Sequence, residues 1–279
     1  MKDINERLRD AAKDGDEAKL KELLRNSSCN ALNADTTGMT ALMCAARMGH
    51  KACVEILLPV SDTLAKDSKG WTALMCAANR GHETCVGLLL PVSDVLAKDV
   101  NGTTALMCAA DAGHESCIQV LLPASDALAQ DKGGQPALMY AAGGGHEVCV
   151  RLLLLASDAL AKSGEGWTAL MHAARGGHET CVQILLPVSD TLTSDNAGLT
   201  ALMHTACDGH ETCARLLLPV SNALAKSKDG MTASTWARNK SYKGLAQFID
   251  AYVLAQSEQA ALGVAEHALA PRGRAVRRV

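Results

Sequence analysis

The tripeptide Thr-Ala-Leu recurs at a fixed interval, and that interval limits the chain to a modular fold. It begins at Thr40, Thr72, Thr104, Thr168 and Thr200, with altered copies at Pro136 and Thr232, and every step is 32 residues. Gly-His keeps the same step at Gly49, Gly81, Gly113, Gly145, Gly177 and Gly209. A cysteine follows each of those histidines by three positions, from Cys53 to Cys213. A repeat of this length is one supersecondary unit that buries its apolar face only against a neighbour, so the chain stacks as a solenoid.

Each unit reads as two short helices and an extended connection. Thr40 stands where a helix N-cap belongs, with a hydroxyl to accept an orphan backbone N–H. Ala41 to Ala46 then forms a helix that stops at Gly49, a left-handed C-cap. A second helix from about His50 buries Cys53, Val54, Leu57 and Leu58 at helical spacing. Pro59 ends it, because proline cannot continue the backbone ladder. Val60 to Trp71 is the connecting loop or hairpin. The Ala-Ala pairs, such as Ala45-Ala46 and Ala77-Ala78, let neighbouring helices approach closely.

The run Gly70-Trp71-Thr72-Ala73-Leu74-Met75-Cys76-Ala77-Ala78-Asn79-Arg80-Gly81-His82-Glu83 resembles the ankyrin repeat, whose pattern includes T-P-L-H-x-A. The likeness covers roughly residues 4–250 and is closest to the variant carrying Thr-Ala-Leu-Met. It implies an all-α ankyrin solenoid of helix-turn-helix units joined by hairpin-like loops. Ala41 and Met43 replace the family's Pro and His, so its Thr–His hydrogen-bond network is expected to be missing. Leu64, Leu96, Leu128, Leu160, Leu192 and Leu224 occupy a column that often holds Asn.

The resulting organisation is an N-terminal capping unit (1–34), six tandem repeats (35–226), a degenerate C-terminal capping repeat (227–254) and a helical or disordered tail with a basic end (255–279). The fourth repeat departs most. Pro136 replaces the capping Thr, Leu155 replaces the helix-ending Pro, and Gly143-Gly144-Gly145 loosens the turn, so this unit is expected to fray first. Pro271-Arg272-Gly273-Arg274 with Arg277-Arg278 closes the chain. It reads as a disordered end or as a contact for an acidic partner or a membrane surface.

Recurring residues point to structure more than to chemistry. Repeat spacing on the order of 10 Å keeps successive histidines too far apart to share a metal ion, so they are expected to serve the turn. The same spacing excludes disulfides along the cysteine column, which reads as small buried hydrophobes, while the first-helix cysteines Cys44, Cys76 and Cys108 are expected to be more exposed. His172 and His204 share a column with those three cysteines, Tyr140 and Trp236, and no acid partner is evident for either histidine. No phosphate loop, nucleophile elbow or zinc-protease motif is present, so the chain is read as non-enzymatic, with no cofactor, metal or small-molecule substrate.

With 27 basic and 30 acidic residues, the charge balance carries no nucleic-acid footprint. No apolar run reaches membrane-span length. The charged start MKDINERLRD is not a signal peptide, which suggests a cytoplasmic protein, or a leaderless effector resident in a host cytosol.

Two columns vary inside this fixed frame: the loop tips and the exits of the first helices. The ankyrin resemblance implies that these columns line the concave face and contact a partner protein. The candidate residues are Lys69, Trp71, Asn79, Arg80, Asn101, Asp111, Tyr140, Trp167, His172, Arg175, His204 and Asp208. Trp71 and Trp167 are the candidate anchors, since exposed Trp often dominates interfaces, although each could pack across its hairpin instead. Arg80 and Arg175 would meet an acidic partner or be solvated. The chain thus reads as a monomeric protein-binding scaffold, with a structural spacer as the alternative.

Overall fold

The computed structural model describes residues 3–26 and 29–269, with side chains to residue 261. The described residues form sixteen α-helices, two per unit. The first helices are α1 (Ile4–Asp14), α3 (Ala41–Met48), α5 (Ala73–Asn79), α7 (Ala105–Asp111), α9 (Ala137–Gly144), α11 (Ala169–Gly176), α13 (Ala201–Asp208) and α15 (Ala233–Asn239). The second helices are α2 (Glu17–Leu24), α4 (Lys51–Leu57), α6 (Glu83–Leu89), α8 (Glu115–Leu121), α10 (Glu147–Leu154), α12 (Glu179–Leu185), α14 (Glu211–Leu217) and α16 (Lys243–Leu269). Among the described residues, β-structure amounts to one isolated bridge between Ser194 and Thr200.

First helices stack on first helices and second helices on second helices, in two layers. The first-helix layer packs more closely, because its contact faces are Ala pairs. In α5 the whole run Ala73 to Ala78 is buried, as a helix enclosed on every side must be. The second helices bury one stripe, Cys85, Val86 and Leu89 in α6 with Leu88 half-buried beside it, and leave Glu83, Thr84 and Gly87 to solvent.

Local signals explain the boundaries. Thr40, Thr72, Thr168 and Thr200 accept from the backbone N–H of the residue three positions on at 3.3–3.4 Å, and Thr104 and Thr232 do the same. Pro136 has no side chain to do so. The second helix is shorter than the sequence suggests. It ends at Leu57, and Leu58–Val60 forms a single 3₁₀ turn that leaves Leu58 half-buried. In the fourth unit, Leu155 permits α10 one more residue and no 3₁₀ turn follows.

Recurring residues tie each unit to the one before. The Nε2–H of His82 donates to the Arg47 carbonyl at 3.1 Å, and His50, His114, His146, His178 and His210 repeat this contact at 2.8–3.1 Å. Those carbonyls lie at the ends of the first helices, where intrahelical donors run out. The ring also lies over the preceding unit's C-cap glycine: a Cβ on Gly49 would meet His82 Nδ1 at 2.5 Å. Gly49 is therefore required twice, by its φ of +78° and by the histidine above it.

The stack is closed at its far end by α15 and α16. There Arg238 pairs with Asp250 at 2.6 Å, and Arg215 lies 4.0 Å above the Phe248 ring. Helix α16 runs unbroken through the boundary expected near residue 254. The Arg-rich end lies outside the described residues.

Candidate functional site

Each connection is built on an Asp or Ser that folds a tight turn. Asp67 Oδ1 accepts from the N–H groups of Lys69 and Trp71 at 2.9 and 2.8 Å, and Gly70 completes the turn with φ +81°. Asp99 and Asp195 hold the same geometry, while Ser163 and Ser227 accept one such bond each. Successive tips are joined through backbone: Val100 N–H donates to the Lys69 carbonyl at 2.9 Å and Lys132 N–H to the Asn101 carbonyl at 2.8 Å. The loop tips and first-helix exits therefore form one continuous, backbone-fixed face.

The candidate residues fall into two groups on this face. Lys69, Trp71, Asn79 and Arg80 line a single cleft of about 320 Å³ together with Arg47 and Asp67. It adjoins a larger groove of about 1030 Å³ of mixed charge, to which Arg9, Lys13, Arg47 and Arg80 contribute together with Glu6, Asp10 and Asp35. Arg47 and Arg80 make no ion pair among the described residues, and the Asp67 carboxylate is occupied by its own turn.

The second group surrounds Trp167. Its ring lies 5.0 Å from His172 and 4.2 Å from His204, and the Arg175 guanidinium sits 5.1 Å from its centroid. Arg175 also approaches Asp208 at 3.8 Å. Asn101, Asp111 and Tyr140 lie between the two groups and join neither. Asn101 and Asp111 are exposed, and their carbonyls serve the next unit.

Several expectations are corrected here. Of the two alternatives for Trp71 and Trp167, the structure shows both half-buried and packed against the core, with part of each ring still open. Arg175 is not a free cation, since it stacks on Trp167 and faces Asp208. Cys76 and Cys108 are 3% and 4% exposed, and burial pushes both thiols up to about 12, so of these three cysteines only Cys44 is partly accessible. His204 does have an acid partner: its Nε2 lies 3.1 Å from Asp195 Oδ2. Burial nonetheless lowers the His204 pKa against the pull of Asp195, so a neutral imidazole donates to the carboxylate.

The Tyr140 hydroxyl makes the equivalent bond to Asp131 at 2.6 Å, and burial followed by that carboxylate raises its pKa. These acids stand nine residues before their partners, in the turn column that the sequence already shows. His172 has Ser163 at that place. Its Nε2 is buried without a hydrogen-bond partner, and burial, then His204 and Arg175, holds its pKa down to about 4. Among the described residues no three His, Cys, Asp or Glu side chains converge as a metal site, and no helix is long and apolar enough to cross a membrane.

Capped helix pairs in two stacked layers, joined by backbone-linked turns, define a helical repeat solenoid. The family model for ankyrin repeats in three copies matches residues 8–99, 61–131, 92–163, 123–195 and 155–229, together most of the chain. The chain belongs to the ankyrin-repeat family. Ankyrin repeats bind other proteins and are typically non-catalytic. No curated protein matches the chain.

Proposed function

We propose that the chain is a non-catalytic scaffold that binds an acidic segment of a partner protein on the first-helix face. The observation that carries this reading is the cleft at the first and second repeats, where Lys69, Arg80 and Arg47 surround Trp71. Three cations and one internally satisfied carboxylate favour an anionic partner, and complementary charge speeds and orients encounter. Closer packing in the first-helix layer favours curvature toward that layer, which supports reading this face as the concave one. Its backbone is fixed by the turn-to-turn hydrogen bonds, so little ordering is lost on binding. Residence in a reducing cytoplasm belongs to the same reading, supported by eleven free cysteines.

The test is capture with a Lys69→Glu, Arg80→Glu, Arg47→Glu variant of unchanged helical content, compared with wild type. A partner held by wild type should be lost by the variant, and its binding to wild type should weaken steeply with added salt. Equal retention by both would exclude this cleft.

A further inference from the structure

A second surface runs along the edge of the stack where each second helix ends. Each of the six repeats ends that helix in an exposed pair, Pro-Val or Pro-Ala, with Leu155-Ala156 in the fourth. Shortly after comes an exposed leucine: Leu64, Leu96, Leu128, Leu160, Leu192 and Leu224 are 55–64% exposed. An Asp or Asn two residues earlier fixes each one. Asp94 Oδ1 accepts from Leu96 N–H at 3.0 Å, and the bond recurs at 2.8–3.0 Å in the other five. The turn therefore presents the leucine at its apex.

The two rows merge into one ribbon. Thr63 Oγ1 donates to the Val92 carbonyl at 2.6 Å, and Thr191 bonds the Val220 carbonyl, so a leucine turn abuts the Pro-Val end of the next unit. If a leucine side chain offers about 100 Å² of apolar surface, the ribbon's leucines and valines present on the order of 600 Å². That is the upper end of what the largest patch on a monomer covers, roughly 300–600 Å². With its polar margins it reaches the roughly 800 Å² per partner of a standard interface.

We propose that this ribbon pairs with the same ribbon of a second copy, the two stacks parallel and unit facing unit. The spacing of a repeat row is matched along its whole length by another stack of the same repeat, and charge sets the direction. In a typical unit the outward residues run Asp94, Leu96, Lys98, with Ser93, Val95 and Ala97 turned inward or half-buried. One margin is therefore acidic and the other basic; Asn222, Gln130 and Ser194 are the interruptions. A two-fold axis along the ribbon sets the Asp margin of one copy against the Lys margin of the other. An axis across it would set Asp against Asp. With five aspartates against four lysines along its margins, the ribbon has no net positive charge to draw it to an anionic membrane.

The experiment uses the full chain in sedimentation equilibrium over a wide concentration range. Wild type should approach twice 29.2 kDa, and Leu96→Glu, Leu128→Glu, Leu160→Glu should stay at the monomer mass with unchanged helical content. Lys66→Glu, Lys98→Glu, Lys162→Glu should weaken association by at least about tenfold. Direction is read by mild oxidation of Leu64→Cys and, separately, Leu224→Cys. Each should cross-link to its own kind, whereas linkage only between the two in a mixture would overturn the parallel arrangement. A wild type monomeric at all concentrations, or a dimer indifferent to the leucine changes, would overturn the pairing itself. If vesicles of anionic lipid captured wild type but not the leucine variant while the protein stayed monomeric, the ribbon would belong to lipid. None of these variants touches the Lys69–Arg80 cleft, so the two readings fail separately.

Discussion

At the residue scale, repetition marks a side chain as structural without saying how it is satisfied. Ser61, Ser93, Ser125, Ser157, Ser189 and Ser221 all bury a hydroxyl oxygen that has no hydrogen-bond partner. A buried polar group left unpaired costs about 1–3 kcal/mol. Replacing Ser93, Ser125 and Ser189 with Ala should therefore raise stability by about 1 kcal/mol per site, additively because each serine belongs to a different unit. Urea unfolding reads this as a higher midpoint at constant slope; a lower midpoint would mean that the hydroxyls have partners in solution. The histidine column was legible as a structural device from its period alone, but its acceptor, a carbonyl 35 residues back, needed the packing of two units. The Asp195–His204 bond is of the opposite kind, because both residues sit in columns that the sequence displays. What hid it is that Asp67 and Asp99 stand in the same turn column with cysteines, not histidines, nine residues later. The acid alone therefore forecasts no partner.

At the scale of one hairpin and its helix, the fifth unit carries a vacancy that its neighbours fill. His172 stands beside Trp167, Arg175 and His204 with Ser163 in the acid's place, and its pKa is held down to about 4 from an ordinary 6.5. A base with a depressed folded pKa takes up its proton more readily when unfolded. Its contribution is thus complete above pH 6.5 and is lost as the pH falls toward 4, at most about 3 kcal/mol and less once partial exposure is allowed for. Ser163→Asp should supply the missing carboxylate, raise the His172 pKa and flatten that acid loss. Titrating the histidine by NMR and following the melting temperature between pH 4 and 7 checks both effects, and an unmoved His172 pKa would refute the geometry. Element boundaries were legible where chemistry is local, as with the Thr caps, the Gly C-caps and proline as a stop. The degree of exposure was not. Trp71 and Trp167 read equally as exposed anchors or as hairpin packing until the neighbouring hairpin is placed beside them. The leucine column reads as a lost asparagine until its turn is seen to point outward.

At the scale of the whole molecule, nearest-neighbour stacking makes stability a sum over units and their interfaces, and that sum can be edited by deletion. Removing residues 131–162 takes out one period and joins Gln130 to Ser163, so a turn residue again follows the edge segment and the register is kept. The unit removed has no side-chain cap at Pro136 and carries two glycines inside α9. A missing cap costs about 1 kcal/mol and an interior glycine about as much, so this unit contributes least of its own. Deleting residues 99–130 instead removes Thr104, which caps α7, and a helix without glycine. Both deletions shorten the stack equally and should lower the urea slope by the same amount. The first should keep a midpoint close to wild type, and the second should fall clearly below it. Equal midpoints would mean that interfaces outweigh what lies within a unit. The reverse order would mean that the fourth unit is held by contacts beyond its two neighbours, which a one-dimensional stack does not provide.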